Sequence, residues 1–373
     1  MDFSLTDDQR ALGDLAAQIL TDRCALERLK TVEHGDDCYD RDLWAELAKA
    51  GLLGAGLPEA YGGSGGGFVD ICLLLEQQGR RVAMLPLLPT IVSAALPLAR
   101  FGTGAQRERY LSAVASGELL LSAALTELGA DSRMPVTRAT RDGSAWRLDG
   151  VKTAVPMAHR AAAVLIPAQV DAGHVGMFII DPRAAGVSLV RQETTNWEGH
   201  FHMELSGVRA GADALLGSIE HGITELNWVV DRTTVGLCAL AAGACQEAVR
   251  LTAEYASNRK QFDKPIAMFQ AVGQRMADSY IDNEAVNLTM WQAATRLHDD
   301  MPSDKEIATA KYWAAEGGSR IGHASLHIHG GISIDVDYPI HRYFLWLKQI
   351  EYTLGAATPQ LARLGAFLAA EPA

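Results

Sequence analysis

The sequence predicts an α+β protein with an N-terminal helical domain, a middle β-barrel or β-sandwich domain and a C-terminal four-helix bundle. Three observations predict it: helical spacing of apolar residues in the first third, short strand-like runs between turn dipeptides in the middle, and long helical stretches thereafter. The boundaries are expected at residues 1–120, 121–222 and 223–373. With 48% hydrophobic residues, a chain of 373 residues has ample material for such a core.

The first domain is predicted to be helical from its start. Thr6 and Gln9 form the T-x-x-Q pattern of a capping box, which satisfies free backbone groups at a helix N-terminus. Residues 12–19 then carry leucine, alanine and isoleucine at i, i+3, i+4 and i+7, so these side chains share one helix face. Helical patterning continues to about residue 117, interrupted by a glycine-rich turn at 62–67.

The middle domain and the bundle are predicted from turn signals and helix length. The dipeptides Asp142-Gly143 and Asp149-Gly150 bracket a strand-like run, as in β-hairpins, and further short apolar runs follow. Four long helices are then expected, at 224–258, 265–298, 303–327 and after residue 338. Four long helices with short connections indicate an antiparallel bundle.

Composition excludes several classes of protein. The chain carries 33 basic and 45 acidic residues, a net charge of −12, so its surface repels nucleic acid and anionic membranes. The uncharged run at 82–99 nearly reaches the length of a membrane span, but Pro86, Pro89 and Pro97 break it, so a buried, kinked element is expected. The five cysteines form no CxxC pair and no signal-peptide pattern is present, so a cytoplasmic protein is expected.

Two motifs favour plain structural interpretations. The glycine-rich turn at 62–67 lacks the strand and the Gly-Lys-Ser/Thr of a phosphate-binding loop, and its Ser64 lacks the context of a nucleophile elbow. His323, His327 and His329 lie close together, but no HExxH glutamate accompanies them. No metal site is therefore predicted.

Two constellations point to a bound cofactor. They are Arg259, Gln261, Phe262 and Gln270 near the end of one long helix, and His329, Gly330 and Gly331 between two others. An arginine fork, amide groups and glycines that allow close backbone approach are what a pyrophosphate-containing cofactor requires. From spacing alone, a solvated helix end and a helix C-cap remain alternatives.

Taken together, the domain order and the motifs resemble the acyl-CoA dehydrogenase family over essentially the whole chain. The matching stretches are FSLTDDQ at 3–9, PEAYGGSG at 58–65, TELGADS at 126–132, RKQFDKPI at 259–266 with FQ at 269–270, and GG at 330–331 followed by YP at 338–339. Five matches in the family's order are far more specific than any single motif.

The resemblance implies FAD as the cofactor, an acyl-CoA thioester as the substrate and an electron-transferring flavoprotein as the acceptor. In this family a glutamate removes the α-proton while the β-hydrogen leaves as hydride to the flavin. The residues implied to hold the adenine and pyrophosphate of FAD, reaching across a subunit interface, are Arg259, Gln261, Phe262 and Gln270, with His327, Gly330 and Gly331 at the same half. Thr126 and Ser132 match positions near the flavin and the CoA part of the thioester.

The sequence departs from the family at the flavin ring. The family has an aromatic residue that packs on the isoalloxazine, followed two positions later by a hydroxyl residue. In this chain these positions are Ala154 and Pro156. The resemblance therefore implies that the flavin-ring half of the site is eroded.

The sequence also departs from the family at the catalytic base. The usual glutamate position after the Tyr-Pro pair falls on Leu354, and Glu351 lies three residues earlier, almost one helical turn away. The alternative glutamate position on the first bundle helix falls on Thr233-Thr234, with Asp231 two residues off. Asp231 and Glu351 are thus the only candidates for a base in this chain, and both are weak.

These departures predict a heterotetramer in which a homologous dehydrogenase subunit supplies the flavin pocket and the catalytic glutamate. The chain looks similar to the degenerate subunit of actinobacterial heteromers that act on bulky steroid side-chain CoA thioesters. Three alternatives stay open: a self-sufficient homotetramer that uses Asp231 or Glu351, a non-catalytic scaffold subunit, and another flavin chemistry such as a nitroalkane-type oxidase or a monooxygenase.

Overall fold

The computed structural model describes residues 3–171 and 173–370 and confirms the predicted fold class. The helices are α1 (Asp7–Arg23), α2 (Leu26–Glu33), α3 (Arg41–Lys49), α4 (Phe68–Arg81), α5 (Leu96–Phe101), α6 (Gly104–Ala115), α7 (Gly222–Asn258), α8 (Gln270–His298), α9 (Asp304–His329), α10 (Ile340–Tyr352) and α11 (Ala357–Ala369). The strands are β1 (Leu121–Ala123), β2 (Arg138–Asp142), β3 (Ala145–Pro156), β4 (Ala163–Asp171), β5 (His174–Ile180), β6 (Val187–Gln192), β7 (His200–Ala210), β8 (Leu215–Leu216), β9 (Lys260–Gln261) and β10 (Lys264–Pro265).

The N-terminal helices follow the sequence signals closely. In the capping box of α1, the Gln9 N–H donates to Thr6 Oγ1 at 3.2 Å and the Thr6 N–H donates to Gln9 Oε1 at 3.1 Å. The uncharged run at 82–99 forms a π-helical segment, Leu88–Ala95, that continues into α5. Within the described ranges, no helix has both the length and the apolar character needed to span a membrane.

The middle domain is one twisted, mainly antiparallel sheet. Its strand order is β6-β7-β3-β2-β4-β5-β8, and β1 pairs with β4 in parallel. Its inner face packs a hydrophobic core that includes Trp146, Leu148, Ile166, Phe178 and Met203, all less than 4% exposed. Because side chains alternate along a strand, the opposite positions of β3 and β7 carry polar residues.

The C-terminal helices differ from the sequence expectation at two points. Helix α8 begins at Gln270 and not at residue 265, because β9 and β10 form a hairpin that takes up residues 260–265. The helical region after residue 338 is divided into α10 and α11 by a turn at 353–356. The bundle helices are therefore α7, α8, α9 and α10, followed by α11.

The chain divides into two compact units. One comprises residues 1–30, 72–83 and 234–373, and the other comprises 31–71 and 84–233. In the first unit, α4 and α7 cross at closest approach through glycines: a Cβ on Gly79 would lie 2.0 Å from the carbonyl oxygen of Leu240, and one on Gly243 would lie 1.9 Å from that of Glu76. Any larger side chain at either glycine would separate the two helices.

Candidate cofactor and catalytic site

The hairpin after α7 presents exposed side chains to solvent. Phe262 and Asp263 form its turn in the left-handed conformation, with φ of +53° and +62°. The Phe262 side chain is 87% exposed and meets Phe269 edge-on at 6.2 Å between ring centroids. Arg259 is exposed as well, with no ion pair or side-chain hydrogen bond within the described part of the chain. A bulky apolar residue held outwards beside a free guanidinium fits a ligand that has both a flat ring and an anionic group.

The same segment brings Gln261 and Gln270 to this surface. Both glutamines are exposed, and within the described residues the Gln261 amide makes one hydrogen bond, from Nε2 to the carbonyl oxygen of Lys260 at 2.8 Å. Gln270 is the first residue of α8 and directly follows Phe269, which touches Phe262. The four predicted residues Arg259, Gln261, Phe262 and Gln270 therefore lie in one short segment, in which the rings of Phe262 and Phe269 are in contact.

The end of α9 contains a buried acceptor without a partner. His329 is 4% exposed, and its Nδ1 lies 2.8 Å from the Ser325 carbonyl oxygen, so Nδ1 carries the proton and Nε2 is an acceptor left unpaired within the described residues. Burial lowers the pKa of His329, which keeps the ring neutral. The Tyr255 ring stacks on the His329 ring, with 4.4 Å between the ring centroids, and the centroid of the Tyr338 ring lies 5.4 Å from that of His329. An orphaned acceptor next to Gly330, which has φ of +66°, suits a ligand that donates a hydrogen bond.

The predicted residues at this helix end differ in their surroundings. His327 is exposed, two positions from the buried His329 and on another side of the helix. Gly330 and Gly331 have open space where a Cβ would stand, so a ligand can approach their backbone. Sequence reasoning missed Tyr255; its position one helical turn before Arg259 is the signal that could have found it.

A buried ion pair supports the segment that carries Thr126. Lys152 Nζ donates to Glu127 Oε1 at 2.5 Å and to the Pro167 carbonyl oxygen at 2.7 Å, and the lysine is 1% exposed. Burial lowers the pKa of Lys152 to about 8. Burial alone would raise the pKa of Glu127, but the charge of Lys152 and its hydrogen bonds hold that pKa below its usual range.

The β3 positions that family resemblance places at the flavin ring make hydrogen bonds within the chain. A β-bulge shifts the register with β7 between Lys152 and Val155, and Ala154 adopts φ of +49°. The Ala154 N–H donates to Gln192 Oε1 at 2.8 Å, and the Thr153 N–H donates to the Thr126 carbonyl oxygen at 2.9 Å. Pro156 has no N–H, so it offers a ligand no backbone donor.

The predicted base positions on α7 are likewise engaged by contacts within the chain. Asp231 Oδ1 accepts from Arg133 Nη2 at 2.6 Å, and Arg133 Nη1 donates to Asn227 Oδ1 at 3.1 Å. Thr233 is 5% exposed, and its hydroxyl donates to the Val229 carbonyl oxygen at 2.8 Å. Asp231 is thus the counter-ion of an arginine, and Thr233 is tied to its own helix.

The position after α10 carries no acid. Leu354 stands in the left-handed turn with φ of +55°, and Gln360 Nε2 donates to its carbonyl oxygen at 3.1 Å. Glu351 pairs with Lys348 at 2.8 Å. Lys311, fully buried, donates to the carbonyl oxygens of Ile350 and Glu351 at 2.7 and 3.1 Å, and burial lowers its pKa to about 8.

The remaining motifs of the sequence are structural. Ser64 Oγ donates to the Ala55 carbonyl oxygen at 2.9 Å, which fixes the glycine-rich turn. His323 Nδ1 lies 2.8 Å from the Ser319 carbonyl oxygen on its own helix. In the described ranges, no three or more histidine, cysteine or acidic residues come together as metal ligands.

The fold, with the motifs at 259–270 and 329–331, is that of the acyl-CoA dehydrogenase family. The pattern described as acyl-CoA dehydrogenase, N-terminal domain, matches residues 6–118, and that described as acyl-CoA dehydrogenase, C-terminal domain, matches residues 220–368. The chain therefore belongs to the acyl-CoA dehydrogenase family, a family of oxidoreductases that use FAD, as the sequence predicted.

Its relatives include a curated acyl-CoA dehydrogenase and chains of two solved structures. It is 38% identical to acyl-CoA dehydrogenase FadE27 of Mycobacterium tuberculosis over 100% of both chains. It is 44% identical to a chain of a variant of the Tcur3481-Tcur3483 steroid ACAD, over 97% of this chain and 98% of that one, with a TM-score of 0.91. It is 38% identical to a chain of the ChsE4-ChsE5 complex from Mycobacterium tuberculosis, over 100% of both chains, with a TM-score of 0.94.

Proposed function

We propose that this chain is a subunit of a heteromeric, FAD-dependent acyl-CoA dehydrogenase that performs the α,β-dehydrogenation of acyl-CoA thioesters. It supplies the adenine and pyrophosphate half of a shared FAD site, and a homologous partner supplies the flavin pocket and the catalytic glutamate. One observation carries the proposal. Within the described residues, Arg259 and Phe262 are exposed and Arg259 has no ion pair or side-chain hydrogen bond, whereas the predicted flavin-ring and base positions of the same chain are occupied by its own contacts.

In the shared site, this chain's residues bind and orient. The Arg259 guanidinium pairs with the pyrophosphate, which it suits by charge and by its forked donors. Phe262 packs against the adenine, and Gln261 and Gln270 offer amide groups to the nucleotide. His327, Gly330 and Gly331 lie at the same adenine and pyrophosphate half of the FAD site. Bound FAD supplies the hydride acceptor, while the residues of this chain hold the cofactor in place.

The proton-transfer step requires a base that this chain lacks. Thr233 and Leu354 cannot accept a proton, and Asp231 and Glu351 are each paired with a cation. Both carboxylates are thus already engaged by side chains of this chain, Asp231 by Arg133 and Glu351 by Lys348. The partner's glutamate is therefore proposed as the base. Thr126 and Ser132 match the family's flavin- or thioester-proximal positions, but these belong to this chain's own eroded half-site, and the match stays a prediction.

The substrate and acceptor are proposed by relation to the family. A related solved complex is called a steroid ACAD, so a bulky steroid side-chain CoA thioester is the proposed substrate class. An electron-transferring flavoprotein is the proposed electron acceptor. The domain boundaries after residues 120 and 222 stay a prediction.

Co-purification tests the proposed function. The chain is purified alone and together with a homologous dehydrogenase subunit encoded beside it, and bound flavin, native mass and bleaching by a steroid acyl-CoA are measured. We expect a colourless lone chain and a yellow heteromer that acyl-CoA bleaches. Bleaching of the lone chain would instead support a self-sufficient homotetramer using Asp231 or Glu351, and a heteromer without FAD would support a non-catalytic scaffold.

A further inference from the structure

We infer that His329 positions the adenosine half of FAD, with its Nε2 accepting a hydrogen bond from a donor group of that half. The inference rests on the proposed function and deepens it, because that function assigns the adenine and pyrophosphate of the cofactor to the ends of α7 and α9. It adds a further residue, the atom that makes the contact and the kind of group that the atom selects.

A single tyrosine joins the end of α9 to the end of α7. The Arg259 N–H donates to the Tyr255 carbonyl oxygen at 2.8 Å, so these two residues lie one helical turn apart. The Tyr255 ring is stacked on the His329 ring with 24° between their planes, and the Tyr255 hydroxyl donates to the His329 carbonyl oxygen at 3.3 Å. The two predicted cofactor constellations are therefore in contact through Tyr255.

The imidazole of His329 is held on its faces and on one polar edge. Tyr255 covers one face, the Tyr338 ring is tilted by 55° against the imidazole, and the Nδ1 edge is bonded to the Ser325 carbonyl oxygen of the same helix. The ring is 4% exposed, and among the described residues its Nε2 has no hydrogen-bond partner. Buried polar atoms in native proteins are almost always paired, so this atom calls for a donor.

The protonation of His329 decides which groups of a nucleotide can pair with it. With the proton on Nδ1, Nε2 is an acceptor, and burial lowers the pKa of His329, so the ring stays neutral. Ionised phosphate oxygens are acceptors and cannot pair with Nε2. The donors of the adenosine half are the adenine amino group and the ribose hydroxyls. Arg259 therefore suits the phosphates, and His329 suits the nucleoside.

The segment after His329 leaves room for a nucleoside beside the helix end. Nothing lies within 4 Å of the place where a Cβ would stand on Gly330 or Gly331. Farther along, Lys30 pairs with Asp337, and Arg342 Nη1 donates to the Val336 carbonyl oxygen at 3.3 Å. The backbone next to His329 is thus open to a ligand, while the far end of the segment is fixed.

The test compares FAD with two analogues in titrations of the cofactor-free heteromer. One analogue carries hypoxanthine in place of adenine and lacks the amino group, and the other lacks both hydroxyls on the adenosine ribose. His329→Asn removes the Nε2 acceptor and keeps an amide that can donate to Ser325, and His329→Phe keeps a flat ring between the tyrosines. His323→Asn is the matched control, since His323 is exposed on α9 and makes the same bond, to the Ser319 carbonyl oxygen at 2.8 Å. Flavin fluorescence gives the dissociation constants, and native mass reports assembly.

Direct contact predicts a loss of discrimination. The wild-type heteromer binds one analogue about tenfold more weakly than FAD, because that analogue lacks the donor for a buried acceptor. The affected analogue identifies the donor as the amino group or a ribose hydroxyl. His329→Asn and His329→Phe bind FAD about tenfold more weakly and bind the affected analogue no more weakly than FAD. His323→Asn behaves as the wild type does.

Three results overturn the inference. The first is a wild-type heteromer that binds FAD and both analogues equally, since Nε2 would then take a water or another protein group. The second is wild-type FAD affinity in His329→Asn or His329→Phe. The third is a variant that weakens FAD and both analogues by the same factor, because a purely structural histidine acts on all three alike. Where one variant fails to assemble, the other supplies the comparison. Failure of the proposed function is distinct, since the wild-type heteromer would then bind no FAD.

Discussion

The hairpin after α7 and the bulge of β3 are both cofactor-related segments by family resemblance, but the chain treats them differently. In the hairpin, Phe262 is 87% exposed and Arg259 has no partner within the described residues. In the bulge, the Ala154 N–H is taken by Gln192 and the carbonyl oxygen of Pro156 is taken by Ser122. The hairpin therefore leaves side chains open to a ligand, whereas the bulge pairs its backbone groups within the chain.

The buried pair beneath the ring-side segment gives the largest expected effect. Lys152→Met is expected to lower the free energy of unfolding by about 3–5 kcal/mol, because Glu127 is left charged and buried without its partner. Urea unfolding measures the change, with Lys49→Met on the exposed face of α3 as the control. The double variant Glu127→Gln/Lys152→Met should recover part of the loss. A loss equal to that of Lys49→Met would contradict a structural role for the pair.

On the adenine side, Phe262→Ala is expected to weaken FAD binding to the heteromer by about 1–3 kcal/mol, the usual range for an aromatic side chain stacked on a base. Its stability should change little, because the side chain is exposed. FAD titration of the cofactor-free heteromer measures the effect. Met268→Ala, exposed in the same segment, is the control, and equal effects of the two variants would remove the assignment of Phe262 to the adenine.

Lys311 gives a pH-dependent effect at the end of α10. Its pKa is about 8 in the fold and near the ordinary 10.5 when unfolded, so the unfolded chain binds more protons between these values. The free energy of unfolding therefore rises with pH across that interval, by up to about 1 kcal/mol per pH unit from this group. Lys311→Met should flatten the slope measured by urea unfolding between pH values of about 8 and 10. An unchanged slope would show that Lys311 stays protonated in the fold.

The substitution Ala154→Gly is expected to give the smallest change in the free energy of unfolding. The Ala154 φ of +49° suits glycine better than alanine, so Ala154→Gly is expected to raise the free energy of unfolding by about 0.5 kcal/mol. Ala139→Gly, in the regular and buried strand β2, should lower it by about 1 kcal/mol. Thermal unfolding of both variants measures the difference, and a loss at Ala154 as large as at Ala139 would contradict strain at the bulge.

Local sequence signals predicted most of the fold. The capping box at Thr6 and Gln9 and the turn dipeptide Asp142-Gly143 act over a few residues, so their outcomes could be read from the chain. The late start of α8 could not be read in this way, because the hairpin at 260–265 depends on two non-glycine residues adopting positive φ. Such strain is fixed by the surrounding structure and leaves no local pattern.

The sequence could name candidate site residues, but their roles stay a prediction. The motif residues of the proposed adenine side stand out because a charged group and a flat ring together are unusual at a helix end. The partners of the positions that depart from the family could not be identified from the sequence. Arg133 lies 98 residues from Asp231, and Gln192 lies 38 residues from Ala154. Long-range pairing of ordinary polar residues becomes visible only in three dimensions.

One measurement tests the shared cofactor site most directly: the flavin content of the heteromer with Arg259→Ala introduced in this chain alone. The account predicts that the heteromer still assembles but that FAD affinity falls by about tenfold or more, because one charge-assisted contact to the pyrophosphate is worth about 1.5–3 kcal/mol. Arg275→Ala on the exposed face of α8 should leave the affinity unchanged. Full flavin affinity in the Arg259→Ala heteromer would contradict the claim that this chain holds the partner's FAD.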